Sequence, residues 1–131
     1  MKVASVKDIK IELKQRSNDE LIELCLQLSK FKKENKELFT YLLFESDHED
    51  HYIDTVKLEI DEQFELINTK TYYFIKKSVR KILRNIKKYI RYSKNKETEI
   101  TLLLYFCEKL SELTPSIKRN TVLLNIYKRE L

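Results

Sequence analysis

The 131-residue chain has no glycine, no tryptophan, one proline, one methionine, two cysteines and two histidines. Each scarcity removes a class of chemistry. Average usage would place about nine glycines in a chain of this length. Without them there is no Gly-rich phosphate loop, no glycine-fingered dinucleotide site and no Gly-flanked nucleophile elbow. Tight hairpins of the Asn-Gly or Asp-Gly kind are missing as well. The remaining inventory, rich in Leu, Lys, Glu and Ile, is that of helices.

Cys25 and Cys107 stand alone in apolar helical stretches with no CxxC spacing. Both are expected as buried small hydrophobes, not as a disulfide or a reactive thiol. The histidines are His48 and His51. Glu45 lies three residues before His48 and Asp54 three after His51, so each pair shares a helix face that could grip a metal. A carboxylate-bridged metal bundle needs a second Glu-x-x-His on another helix, and no third histidine exists. No metal and no cofactor are expected. No base neighbours either cysteine in sequence, and no carboxylate sits inside an apolar stripe where burial would raise its pKa. The chain therefore reads as non-enzymatic, with carboxylates that converge only in the fold as the one route to catalysis left open.

Long apolar runs are absent too. The longest, 102–107, has six residues, against about 20 for a membrane span. The opening MKVASVKDIKIELK carries charges throughout and lacks the apolar core of about 7–15 residues that a secretory signal needs. The expectation is a soluble, cytoplasmic protein without membrane association.

What is present points to an all-α chain of about seven helices. Ser5 caps a first helix over about 6–15. Ser17-Asn-Asp-Glu20 is a capping box opening a helix to about 31, with Leu21, Leu24, Cys25 and Leu28 at helical spacing. A third helix spans about 36–44. Ser46-Asp-His-Glu49 reads as a second capping box, opening a helix to about 67. That helix carries a stripe of Ile53, Val56, Ile60, Phe64 and Ile67, and Asn68 suits the left-handed turn that would end it. The fifth, about 71–92, carries Tyr72, Ile75, Val79, Ile82, Leu83, Ile86 and Ile90 on one face. The sixth, about 97–113, is apolar almost all round, which predicts a central position; were it not central, the extra face would mark a homodimer seam. Thr114-Pro115 would cap and begin a seventh helix over 116–129. Breaks of two to five residues imply antiparallel hairpins. The expected architecture is a single domain over 1–131, a bundle with some helical-solenoid (HEAT-like) character.

Residues 20–44, ELIELCLQLSKFKKENKELFTYLLF, resemble a segment of short all-helical bacterial proteins of unknown function. The resemblance implies a cytoplasmic helical domain and no activity.

Charge is the informative feature. Lys and Arg number 26 against 21 Asp and Glu. Residues 45–66 hold nine acids and one base, a net −8, while 70–96 hold eleven bases and no acid. Facing stripes in an antiparallel hairpin bring these blocks to one edge. Asp54 should then approach Arg84, Asp50 should approach Lys88, and Glu62 should approach Lys76 or Lys77. If the blocks neutralise each other, the hairpin is purely structural, each exposed pair contributing about 0–1 kcal/mol. The other reading starts from the excess of bases over reachable acids. It leaves Lys77, Arg80, Lys81, Arg84, Lys88 and Arg91 as an outward cationic strip for an acidic protein surface or a nucleic-acid backbone. Tyr89 and Tyr92 could then stack beside it. The 20 Lys to 6 Arg disfavour specific reading of nucleic acid, because arginine is the better fork for phosphates and base edges.

Overall fold

The computed structural model describes residues 1–131. It is all-α, with seven α-helices and no strand. Packing divides the chain into two compact units, Met1–Thr40 and Tyr41–Leu131. No change of composition marks this boundary, and a sequence reading of one domain places none there.

The first unit holds α1 (Val6–Lys14), α2 (Asn18–Phe31) and α3 (Lys33–Thr40). Ser5 Oγ accepts from the Asp8 amide at 3.1 Å and caps α1. The capping box of α2 forms as its sequence requires: Ser17 Oγ accepts from the Glu20 amide, and Glu20 Oε1 accepts from the Ser17 amide. Extended backbone at Lys32 breaks α2 from α3. Asn35 Nδ2 closes the break by donating to the Leu28 carbonyl at 2.7 Å. None of the three helices buries a residue. Cys25 is exposed, against the expectation of burial. The reason is size. Within the unit α2 packs mainly against α3, which is eight residues long, and that is too little to cover its broad apolar arc.

The second unit begins with a π-helical turn, Tyr41–Glu45, where a helix over 36–44 was expected. The Ser46 amide reaches back five residues to the Tyr41 carbonyl at 2.8 Å. The turn sends Tyr41 inward and leaves Leu42, Leu43 and Phe44 exposed. It also cancels the second capping box. Ser46 ends the π turn, its hydroxyl donating to the Leu42 carbonyl, so α4 (Glu49–Glu65) starts after His48 without a side-chain cap. Asn68 does not take the left-handed turn; α4 closes at Leu66 in right-handed geometry, and Asn68 Oδ1 accepts from the Lys70 amide instead. Thr71 caps α5 (Tyr72–Ser93) through the Phe74 amide. The one positive φ in the chain, 56°, belongs to Lys94 at the end of α5. With no glycine available, a lysine takes that conformation at roughly 1–2 kcal/mol.

Asn95 caps α6 (Lys96–Ser111). Thr114-Pro115 does not open the last helix. Ser116 caps a 3-10 turn, Ile117–Arg119, and Asn120 then caps α7 (Thr121–Glu130). The detour places Ile117 in the core at 3% exposure.

The stripes read from the sequence are the core. Val56, Ile60, Phe64 and Ile67 meet the six apolar residues from Ile75 to Ile90, with Ile53 and Tyr72 at the edge. Leu102, Phe106, Cys107 and Leu110 come from α6, which touches α4, α5 and α7 and so is central, as its all-round apolarity predicts. Cross-helix bonds give the directions. Tyr52 Oη on α4 donates to the Tyr89 carbonyl on α5, far from the connecting turn, so these helices are antiparallel. Thr98 reaches Glu49 and Tyr105 reaches Asp61, so α4 and α6 run the same way. Tyr72 reaches Ser116 while Lys87 reaches Glu130, so the α7 segment runs with α5. The second unit is an up-down-up-down bundle.

Candidate functional site

Along α5 the buried residues fall on one side of the helix. At about 100° per residue, Lys77, Arg80, Lys81, Arg84, Lys88 and Arg91 lie within an arc of about 100° on the opposite side. The row from Lys77 to Arg91 is about 21 Å long at 1.5 Å per residue. Lys77, Arg80, Lys81, Arg84 and Arg91 are exposed and Lys88 is half-buried. Lys88 Nζ sits 5.0 Å from the ring centre of Tyr89, a cation–π contact.

Two of the expected bridges do not form: Asp54 does not pair with Arg84, nor Glu62 with Lys76 or Lys77. Several acids of the acidic block are held elsewhere. Asp61 accepts from the Tyr105 hydroxyl and lies 3.4 Å from Lys109 Nζ, both on α6. Glu49 accepts from Tyr41 Oη at 2.7 Å and from Thr98 Oγ1. Glu59 accepts from Tyr89 Oη at 3.0 Å. A two-helix hairpin has one shared edge, but α4 also packs on α6, which supplies Tyr105, Lys109 and Thr98, while Tyr41 comes from the π turn and Tyr89 from α5 itself. The pairing shows in the tyrosines. Burial, with the Glu49 carboxylate beside it, pushes the Tyr41 hydroxyl up to about 12. The hydrogen bond to Asp61, with burial, does the same to Tyr105.

Among the bases of α5, Lys87 is bridged to Glu130 on α7 at 3.0 Å. It lies at the edge of the arc and was not among the candidates. Tyr73, Lys76, Lys77, Arg80 and Arg84 together line an open depression of about 480 Å³. Lys81 faces a smaller one of about 180 Å³, with Gln63, Leu66 and Ile67 at the α4–α5 turn. The candidates thus divide: Lys77, Arg80 and Arg84 share the main depression, Lys81 borders another, and Lys88 and Arg91 continue the row. Tyr73 and Lys76 were missed. The signal for Tyr73 was its spacing, four residues before Lys77 and seven before Arg80, on the same side of the helix. Tyr89 and Tyr92 do not stand beside the strip as free platforms; they pack against the core, ring centres 6.0 Å apart.

The histidine segment folds differently from either pairing read in the sequence. His51 Nδ1 lies 2.8 Å from Glu45 Oε2, across the π turn. This hydrogen bond and the Glu45 charge, with a smaller contribution from Asp54, raise the His51 pKa above its ordinary value of 6.5. The protonated ring is therefore favoured by the fold. Its contribution is complete below about 6.5 and is lost as pH rises through the folded pKa. Imidazole NMR should place the His51 midpoint above 6.5 and Glu45→Gln should lower it; an unmoved midpoint in the variant would show that the pair does not hold in solution.

No helix is long and apolar enough to cross a membrane. No family model, curated protein or solved structure matches the chain.

Proposed function

We propose that the chain is a non-enzymatic helical binding module that presents α5 to an acidic protein surface. The observation that carries this is the absence of an intrachain carboxylate bridged to Lys77, Arg80 or Arg84. Lys77, Arg80 and Arg84 line one depression, while the acids expected to cancel them form no bridge to them. A row of cations opposite a buried face, with an exposed tyrosine at its head, offers long-range attraction and a contact surface together. The lysine-rich composition favours a protein over a nucleic acid as partner. A basic amphipathic helix can also lie on anionic lipid, but here the apolar face of α5 is taken up by the core.

Binding of a fluorescent acidic helical peptide and of a DNA duplex, each followed by anisotropy at about 50 and 200 mM salt, tests the reading. The peptide should bind, and K77E/R80E/R84E should weaken it by at least about tenfold, given that close charge pairs across interfaces couple by more than 1 kcal/mol. Tighter binding to the duplex, falling steeply with salt, would replace the protein partner with a nucleic-acid backbone. Equal binding by wild type and triple variant would remove α5 as the site.

A further inference from the structure

The cationic face of α5 has a counterpart on α4. Asp54, Leu58, Glu62 and Glu65 are all exposed, and none of these three acids forms a salt bridge. At about 100° per residue the four lie within an arc of about 80°, on the side of α4 away from buried Ile60. The helix has one lysine and no arginine, and that lysine, Lys57, lies over the Tyr105 ring. No acid interrupts α5. Asp54 to Glu65 and Tyr73 to Arg84 cover the same length, about 16.5 Å at 1.5 Å per residue. Each face sets one large side chain among its charges, Leu58 and Tyr73, both 65% exposed. Within one chain the two faces point apart. The edge that α4 turns to α5 holds Tyr52 and Glu59, which both bond to Tyr89. The centre of the acidic arc lies about 110° round α4 from that edge, and the cations lie about 150° round α5 from Tyr89. These acids and bases are matched in sign and length, and only separate copies can bring them together.

We infer that the acidic surface met by α5 is α4 of a second copy of this chain. The inference rests on the reading of α5 proposed above and names its partner. Opposite charges draw the two faces together, and Leu58 and Tyr73 bury apolar surface between them. The contact is head-to-tail. Each bound copy still offers one free α4 face or one free α5 face, so association continues past the dimer into rings or open chains.

Sedimentation equilibrium of the full chain tests this. With rising concentration the average mass should climb past twice the 15.9 kDa of one copy. The climb should shrink as salt goes from about 50 to 200 mM. D54N/E62Q/E65Q removes the acidic face and K77Q/R80Q/R84Q the basic one, and all six residues are exposed. Each variant alone should associate at least about tenfold more weakly than wild type. Mixed in equal amounts, they still hold one intact face of each kind between them. The mixture should therefore pair one to one with wild-type strength and stop at twice the mass of one copy. That recovery also shows that both variants are folded. A wild-type chain that stays monomeric or stops at a dimer overturns the inference. So does a variant that associates as well as wild type, or a mixture that fails to pair. The acidic helical peptide separates the two readings: a monomeric wild-type chain that binds it leaves the reading of α5 standing and removes only the second copy.

Discussion

Phe106→Ala is expected to cost about 3–5 kcal/mol, the range for removing a buried phenylalanine. Phe106 has no solvent exposure and lies in the middle of α6, the helix that touches all three of its neighbours in the bundle. Its ring centre lies 6.0 Å from that of Phe64 on α4, tilted by 52°. Truncation therefore removes both the buried area and an aromatic pair, and leaves a void in the core. Native domains are stable by only about 5–15 kcal/mol, so the variant should unfold at much lower urea or fail to fold at ambient temperature. Phe106→Leu keeps most of the volume and should lose far less. Urea denaturation of both variants checks the claim. Equal losses would show that α6 is not the packing centre.

Glu49→Ala should be the most damaging change of a polar residue. Glu49 stands in the first turn of α4, where the positive end of the helix favours a carboxylate. One oxygen accepts from Tyr41 and the other from Thr98, which is fully buried. Losing the acceptor strands two donors, each at about 1–3 kcal/mol. An expected loss of roughly 2–4 kcal/mol follows, less than the sum because Tyr41 can relax. Thr98→Val in the Glu49→Ala background should recover part of it, since removing both partners of a buried bond is nearly neutral. A loss below about 1 kcal/mol for Glu49→Ala would mean that both hydroxyls find other acceptors.

Much of this molecule was legible from residue order, and the reasons are local. Period-3.6 stripes on α4 and α5 named the core because a helix repeats its geometry every turn, whatever it packs against. Ser17 and Glu20 named their capping box because both partners lie within one turn. The same motif failed at Ser46 to Glu49, where the preceding π turn had already engaged the Ser46 amide. Asn68 failed in the same way, its side chain engaged by Lys70. Local signals give the options open to a backbone group; competition between neighbours decides which is taken.

The candidate site was legible to a lesser degree. That α5 is cationic opposite its buried face follows from the order of residues alone. Which cations are countered does not. The expected bridges treated α4 and α5 as an isolated pair, whereas Asp61 finds Tyr105 and Lys109, and Glu49 finds Thr98, on α6. Lys87, not singled out, found Glu130 because α7 folds back alongside α5.

Residue order by itself determined the helical class, the stripes that form the core, the centrality of α6 and the cationic side of α5. All of these depend on intervals of a few residues and on the sign of charge. The tertiary structure alone decided that Asp61, Glu49 and Glu59 turn to tyrosine, threonine and lysine partners, that Cys25 is exposed while Cys107 is buried, and that Met1–Thr40 forms a unit without a buried side chain. These depend on which distant segments meet, and a partner tens of residues away along the chain leaves no mark in the local pattern.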